Sequence, residues 1–140
     1  MISDKQIHDF MNEDYSPNGR VDATPQELVT QFIDHMDQPL DQKYKYGNDL
    51  DDFRFSLLQE EYFEVIEAAE PHLKLKELAD LVYVTYGYAA TYGWDLDEAV
   101  NRVHESNMSK LGEDGKPVKD SNGKVMKGNG YKPPCLRDLV

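Results

Sequence analysis

The chain has 140 residues, with 27 Asp and Glu against 15 Lys and Arg, for a formal net charge of −12. That length is expected to form one domain with a modest core, and so acidic a surface excludes sequence-independent binding to nucleic acid. A single cysteine, Cys135, allows no internal disulfide; no apolar run reaches a membrane span and no signal-peptide core is visible, so a cytoplasmic protein is expected.

Between Asp4 and Asn12, Ile7, Phe10 and Met11 recur at helical spacing, ahead of the turn-rich Ser16-Pro17-Asn18-Gly19. A clear helix start follows, with Thr24 as N-cap, Pro25 at the first helical position and Glu27 at the third. Leu28, Val29, Phe32, Ile33 and Met36 then give an apolar face that ends at Gln38-Pro39. After a polar stretch containing Tyr44, Tyr46 and Gly47, a second helix is expected from Asp49 or Asp51 to about Ala69. Phe53, Leu57, Leu58, Val65 and Ile66 would face inward.

Pro71 punctuates the chain, and a third helix is expected from about Leu73 to Tyr92, stopped by Gly93. Its tyrosines Tyr83, Tyr86, Tyr88 and Tyr92 suit core or subunit interface better than a base-stacking platform. Asp95-Leu96-Asp97-Glu98 has the form of a capping box and opens a helix to about Lys110. From Gly112 to Gly128 the chain reads as loop plus a small hairpin turning at Asn122-Gly123. The expected class is all-α, four or five helices with a short β or coil appendage.

Chemistry concentrates in Glu60, Glu61 and Glu64 on one helix and Glu77 and Asp80 on the next. Residues three or four apart share a helix face, so Glu61 adjoins Glu64 and Glu77 adjoins Asp80. An antiparallel pairing of the two helices would bring four or five carboxylates together. Such a cluster is repulsive without a cation, and hard oxygens suit Mg²⁺ or Mn²⁺. Leu57, Leu58, Val65, Ile66, Leu78, Leu81 and Val82 alternate with these acids, which points to partly buried carboxylates that need a partner. Lys74 and Lys76 could instead pair with them. Glu67 and Glu70 read as a solvated face.

Rival metal chemistry fits less well. A di-iron bundle wants Glu-x-x-His, which neither acidic pair supplies. His8, His35, His72 and His104 lack zinc-ligand spacing, and Asp120-Ser121-Asn122-Gly123 lacks the acids of an EF-hand. Seven of the Lys and Arg but only four of the acids lie from Lys110 onward. That segment is net positive beside a strongly negative body, a charge pattern able to close over a metal-bound polyphosphate. Asn107 and Lys110 share a face at the end of their helix, where an amide and an ammonium can meet phosphate oxygens.

Glu60-Glu61-x-x-Glu64 followed by Glu77-x-x-Asp80 resembles the signature of the all-α nucleoside triphosphate pyrophosphohydrolases. These include MazG-like enzymes, dimeric dUTPases and phosphoribosyl-ATP pyrophosphohydrolases. The segments Lys76 to Gly87 and Val103 to Lys110, with Asp120, Lys124, Lys127, Gly128 and Tyr131-x-Pro133-Pro134, are similar to a MazG-like, dUTPase-related branch, and the resemblance covers about Val29 to Leu136. It implies one MazG-like domain over 1–140, with 1–23 an N-terminal extension and 111–140 a basic tail closing over the site.

The resemblance further implies hydrolysis of the α–β phosphoanhydride of a (deoxy)nucleoside triphosphate, releasing monophosphate and pyrophosphate for nucleotide-pool control. Glu61, Glu64, Glu77 and Asp80 would hold Mg²⁺, for which Mn²⁺ substitutes. Glu60 and Glu61 would serve the attacking water; Asn107, Lys110, Lys124, Lys127 and Tyr131 would contact phosphates. Phe32, His35 and Gln38 would shape the base pocket, with dUTP, dGTP or dCTP among the candidate substrates. A homodimer or homotetramer is implied, with the Tyr83–Tyr92 stripe as candidate interface. A phage-encoded enzyme acting in host cytoplasm would suit this composition. The alternative from another class is a non-enzymatic acidic helical module that binds a nucleotide or a partner.

Overall fold

The computed structural model describes residues 23–140. The expected helix at Asp4–Asn12, His8, and nearly all of the 1–23 extension lie outside the described residues. Four α-helices follow in chain order: α1 Pro25–His35, α2 Asp49–Glu67, α3 Pro71–Thr91 and α4 Leu96–Met108, with a 3-10 turn at Arg137–Leu139. The all-α expectation therefore holds, and the boundaries lie within about two residues of those expected from capping and punctuation.

Local chemistry explains each start. Thr24 Oγ1 accepts from the Glu27 amide while the Glu27 carboxylate accepts from the Thr24 amide at 2.8 Å, a complete capping box for α1. Asn48 caps α2 through the Asp51 amide, and Asp95 caps α4 through the Glu98 amide. Pro71 opens α3 rather than merely separating it from α2, because a first-turn residue has no intrahelical use for its amide. Gln26 Oε1 also accepts from the Leu96 and Asp97 amides, tying α1 to the start of α4.

The α2–α3 hairpin is the most extensive packing pair; α1 lies across α3, and α4 rests on α1. Val29, Ile33 and Ala90 form the buried core, with Leu40 and Tyr86 against it. Gly87 permits the close approach of α1 and α2 to α3. A Cβ there would lie 3.3 Å from Arg54 Nη1 and 3.5 Å from Ile33 Cδ1. The appendage is looser than a hairpin of strands. It has two isolated bridges, Leu111–Pro117 and Lys119–Val125, and turns at Gly123 with φ +80°.

Three packing expectations are corrected. On α1 only Val29 and Ile33 are buried, while Leu28, Phe32 and Met36 are exposed. On α2 and α3, Phe53, Ile66, Leu78 and Val82 are exposed in the single chain, although the four acids Glu61, Glu64, Glu77 and Asp80 are partly buried as expected. Periodicity identifies an apolar face without saying whether this chain covers it. The tyrosines of α3 also diverge. Tyr92 is buried and the Tyr88 hydroxyl donates to the buried Asp51 carboxylate, so the four do not form one exposed stripe. Burial, then that hydrogen bond, pushes the Tyr88 hydroxyl pKa well up.

Candidate metal centre and nucleotide site

Each of Glu61 and Glu64 on α2 and Glu77 and Asp80 on α3 offers a carboxylate oxygen, and the four oxygens lie within 4.8 Å of one another. The i, i+3 spacing on each helix and the pairing of α2 with α3 produce this convergence. Glu61 is the most constrained of the set. Its Oε2 is buried with no hydrogen-bond partner, and its pKa is pushed up to about 7. Desolvation is the largest cause, followed by the Glu64 carboxyl and the charges of Asp80 and Glu77.

That donor set fits a hard divalent cation: four carboxylates, one with a buried orphan oxygen, in a space where mutual repulsion otherwise has to be relieved by a proton. The structure also supplies part of the competing arrangement. Lys76 pairs with Asp80 at 2.7 Å and Glu77 at 3.3 Å, whereas Lys74 turns away to the Val65 carbonyl. Lys76 is well exposed, and a surface pair of that kind is held weakly.

The remaining candidate residues distribute as follows. Glu60 is exposed and stands outside the group of four. Lys110 follows the C-terminal end of α4, its amide donating to the Asn107 carbonyl at 3.1 Å. Lys127 lies 4.6 Å above the Tyr131 ring, a cation–π contact that holds both in the tail. Lys124 sits in the Asp120–Lys124 turn, where its amide donates to Asp120 Oδ1. Among the described residues no ion pair joins Lys110, Lys124 or Lys127 to the four acids. The tail is instead fastened along α4, with Arg102 holding Asp138 at 2.6 Å and the Cys135 carbonyl at 2.9 Å.

The first helix and the turn after it deliver two of the three expected residues to a common cavity. Phe32 and Gln38 line it with residues of α2 and α3, whereas His35 is exposed and bonded to the Gln31 carbonyl. Asp37, at φ +53°, ends α1, and the Gln38 amide returns to the Ile33 carbonyl at 3.1 Å. This turn aims Gln38 at Arg54, a buried cation that the sequence reading missed. The signal was present: Arg54, Leu57, Leu58, Glu61 and Glu64 follow one stripe of α2, so a polar residue on it had to face the interior.

A model of the phosphoribosyl-ATP pyrophosphohydrolase family matches residues 29–107, more than half of the chain. The chain belongs to that family. The matched region contains α1 from Val29, all of α2 and α3, and most of α4, and so takes in the four acids and the cavity beside them. The phosphoribosyl-ATP pyrophosphohydrolase family falls within the MazG-like all-α superfamily, and membership makes a nucleotide the substrate and pyrophosphate release the reaction class. No curated protein matches the chain. No helix among the described residues is long and apolar enough to cross a membrane.

Proposed function

We propose that the protein hydrolyses (deoxy)nucleoside triphosphates to monophosphate and pyrophosphate with Mg²⁺, in control of nucleotide pools. The observation that carries this reading is the convergence of Glu61, Glu64, Glu77 and Asp80 around the orphan Oε2 of Glu61, in a chain of a pyrophosphohydrolase family. Those four side chains would hold the cation, and Mn²⁺ would substitute for it. Bound there, the ion would polarise the phosphates and acidify the attacking water.

Glu60, beside the four on the exposed side of α2, orients that water and accepts its proton together with Glu61. Asn107 and Lys110 meet the phosphate oxygens, and Lys124, Lys127 and Tyr131 close over the outer phosphates when the basic tail moves onto the acidic body. Phe32 and Gln38 contact the base. His35 does not line that cavity; with Nδ1 on the Gln31 carbonyl, its Nε2 is the nitrogen that would meet the substrate.

The assembly proposed is a homodimer or homotetramer, in the cytoplasm. Its support is a run of uncovered apolar residues beside the acids: Ile66 is 57 % exposed, Leu78 44 % and Val82 53 %. Leu75, Leu78 and Val82 share one face of α3, which suits a second copy better than the divided tyrosines do.

The deciding experiment is product analysis after incubation with Mg²⁺ and each common (d)NTP, including dUTP. Monophosphate plus pyrophosphate from any of them supports the proposal. Intact nucleotides with both Mg²⁺ and Mn²⁺ would favour a nucleotide-binding module instead. Phosphoribosyl-ATP belongs in the same assay, because the family match favours it as a second substrate reading.

A further inference from the structure

One helical turn from the acids lies a cavity of about 100 Å³ lined in part by Phe32, Gln38, Arg54, Leu57, Tyr83 and Gly87. Leu57 precedes Glu61 by four residues and Tyr83 follows Asp80 by three, so cavity wall and acid cluster share the same helix faces. Arg54, only 3 % exposed, is its buried cation. Its Nη2 donates to Gln38 Oε1 at 3.0 Å, Nη1 rests against Gly87, and Nε is buried without a partner. A buried donor left unpaired is costly, and Arg54 carries one beside the cavity it lines.

Arginine donates and never accepts, so Gln38 must turn its oxygen to Arg54, leaving the Gln38 amide nitrogen as a second donor with no partner among the described residues. The other lining is apolar, and at the rim Phe32 and Tyr83 form an exposed edge-to-face pair with ring centroids 5.5 Å apart. An enclosed cavity that holds a benzene ring measures about 150 Å³; this space is smaller still, so of the two classes of base it favours the single ring over the fused pair.

We propose that this cavity takes the substrate's base, that the base is a pyrimidine, and that Arg54 and Gln38 select it by donating to its ring carbonyl. The placement rests on the proposed function, which puts the phosphates on the acids. A pyrimidine carries a carbonyl acceptor for these donors and is the smaller of the two base classes. The two-ring adenine of phosphoribosyl-ATP is the poorer match to that volume.

The test compares hydrolysis of dCTP, dUTP, dATP and dGTP with Mg²⁺, alongside calorimetric binding of the four deoxynucleosides without metal. A pyrimidine preference of roughly 10- to 100-fold in kcat/KM is expected. Arg54→Lys keeps the charge but removes the Nε–H, and is expected to erase the preference mainly through KM. Gln38→Glu keeps the acceptor toward Arg54 and removes the free amide donor, and is expected to weaken pyrimidine selection even if Arg54→Lys does not fold. Equal or better use of purines by the wild type overturns the inference, as does a preference that survives both substitutions. The two readings separate cleanly. Hydrolysis without base preference sinks only the pyrimidine assignment, whereas pyrimidine nucleosides bound without turnover of any triphosphate sink only the hydrolase.

Discussion

Lys76 Nζ lies 2.7 Å from Asp80 Oδ2, one helical turn along α3, and 3.3 Å from Glu77 Oε1. Hydrogen bonds to Asp80 first and Glu77 second hold the ammonium charged well above the usual lysine range. In the isolated chain a lysine thus partly neutralises two of the four carboxylates. Replacing it with methionine removes a competitor for the cation. Lys76→Met is expected to tighten Mn²⁺ binding by up to about fivefold, the scale set by exposed ion pairs. Titration calorimetry at low salt reads this directly, and unchanged or weaker affinity would mean that the lysine does not compete.

Asp80→Asn should separate the metal role of the cluster from its structural role. The substitution keeps size and removes one negative charge from a repulsive group. Without metal, the variant is expected to melt at or above the wild-type temperature. With Mn²⁺ the wild type should gain stability by mass action while the variant gains little. Activity should fall by more than the roughly 10- to 100-fold that follows loss of a mere supporting partner of a metal site. A variant that melts lower without metal yet shifts normally with Mn²⁺ would identify Asp80 as structural.

Much of this architecture is legible in the sequence because it is set locally. Thr24-Pro25-x-Glu27 and Asp95-x-x-Glu98 declare their helix starts through contacts within one turn, and the acid pairs follow from spacing alone. What depends on a third element is not legible in that way. Arg54 is identified only when its stripe on α2 is traced against Gln38, sixteen residues before it, and Gly87, thirty-three residues after it. Asp51 is buried because Tyr88, far along the chain, reaches it. Ile66 and Val82 read as inward by periodicity, yet nothing in the described chain covers them.

The raised pKa of Glu61, about 7, fixes the sign of two pH effects. A carboxyl whose folded pKa exceeds its unfolded value binds its proton more readily in the folded state. Its contribution to metal-free stability is therefore greatest below about pH 4, near the unfolded carboxylate value. It declines as pH rises to about 7. Metal binding runs the other way, since the cation must displace that proton. Mn²⁺ affinity is expected to rise from pH 6 to 8, with proton release on binding largest below pH 7. Calorimetry in buffers of different ionisation enthalpy measures that release. Zero release at pH 6, or affinity that falls with pH, would remove Glu61 from the ligand set.

Gly93 tests how firmly the loop before α2 is docked on the end of α3. It adopts φ +68°, and a Cβ there would lie 2.5 Å from Asp41 Oδ1. The adjoining Gln42 amide donates to the Thr91 carbonyl at 2.8 Å, so the loop cannot simply lift away without losing that bond. Gly115 has a similar φ of +74° with nothing within 4 Å of its Cβ position, which makes it an internal control. Gly115→Ala is expected to cost about 1 kcal/mol from the left-handed backbone alone. Gly93→Ala adds the displacement of Asp41 and should cost about 2–3 kcal/mol in total. Urea denaturation of both variants gives the comparison. Equal losses would show that Asp41 swings aside freely, and that the loop's hold on α3 does not run through this contact.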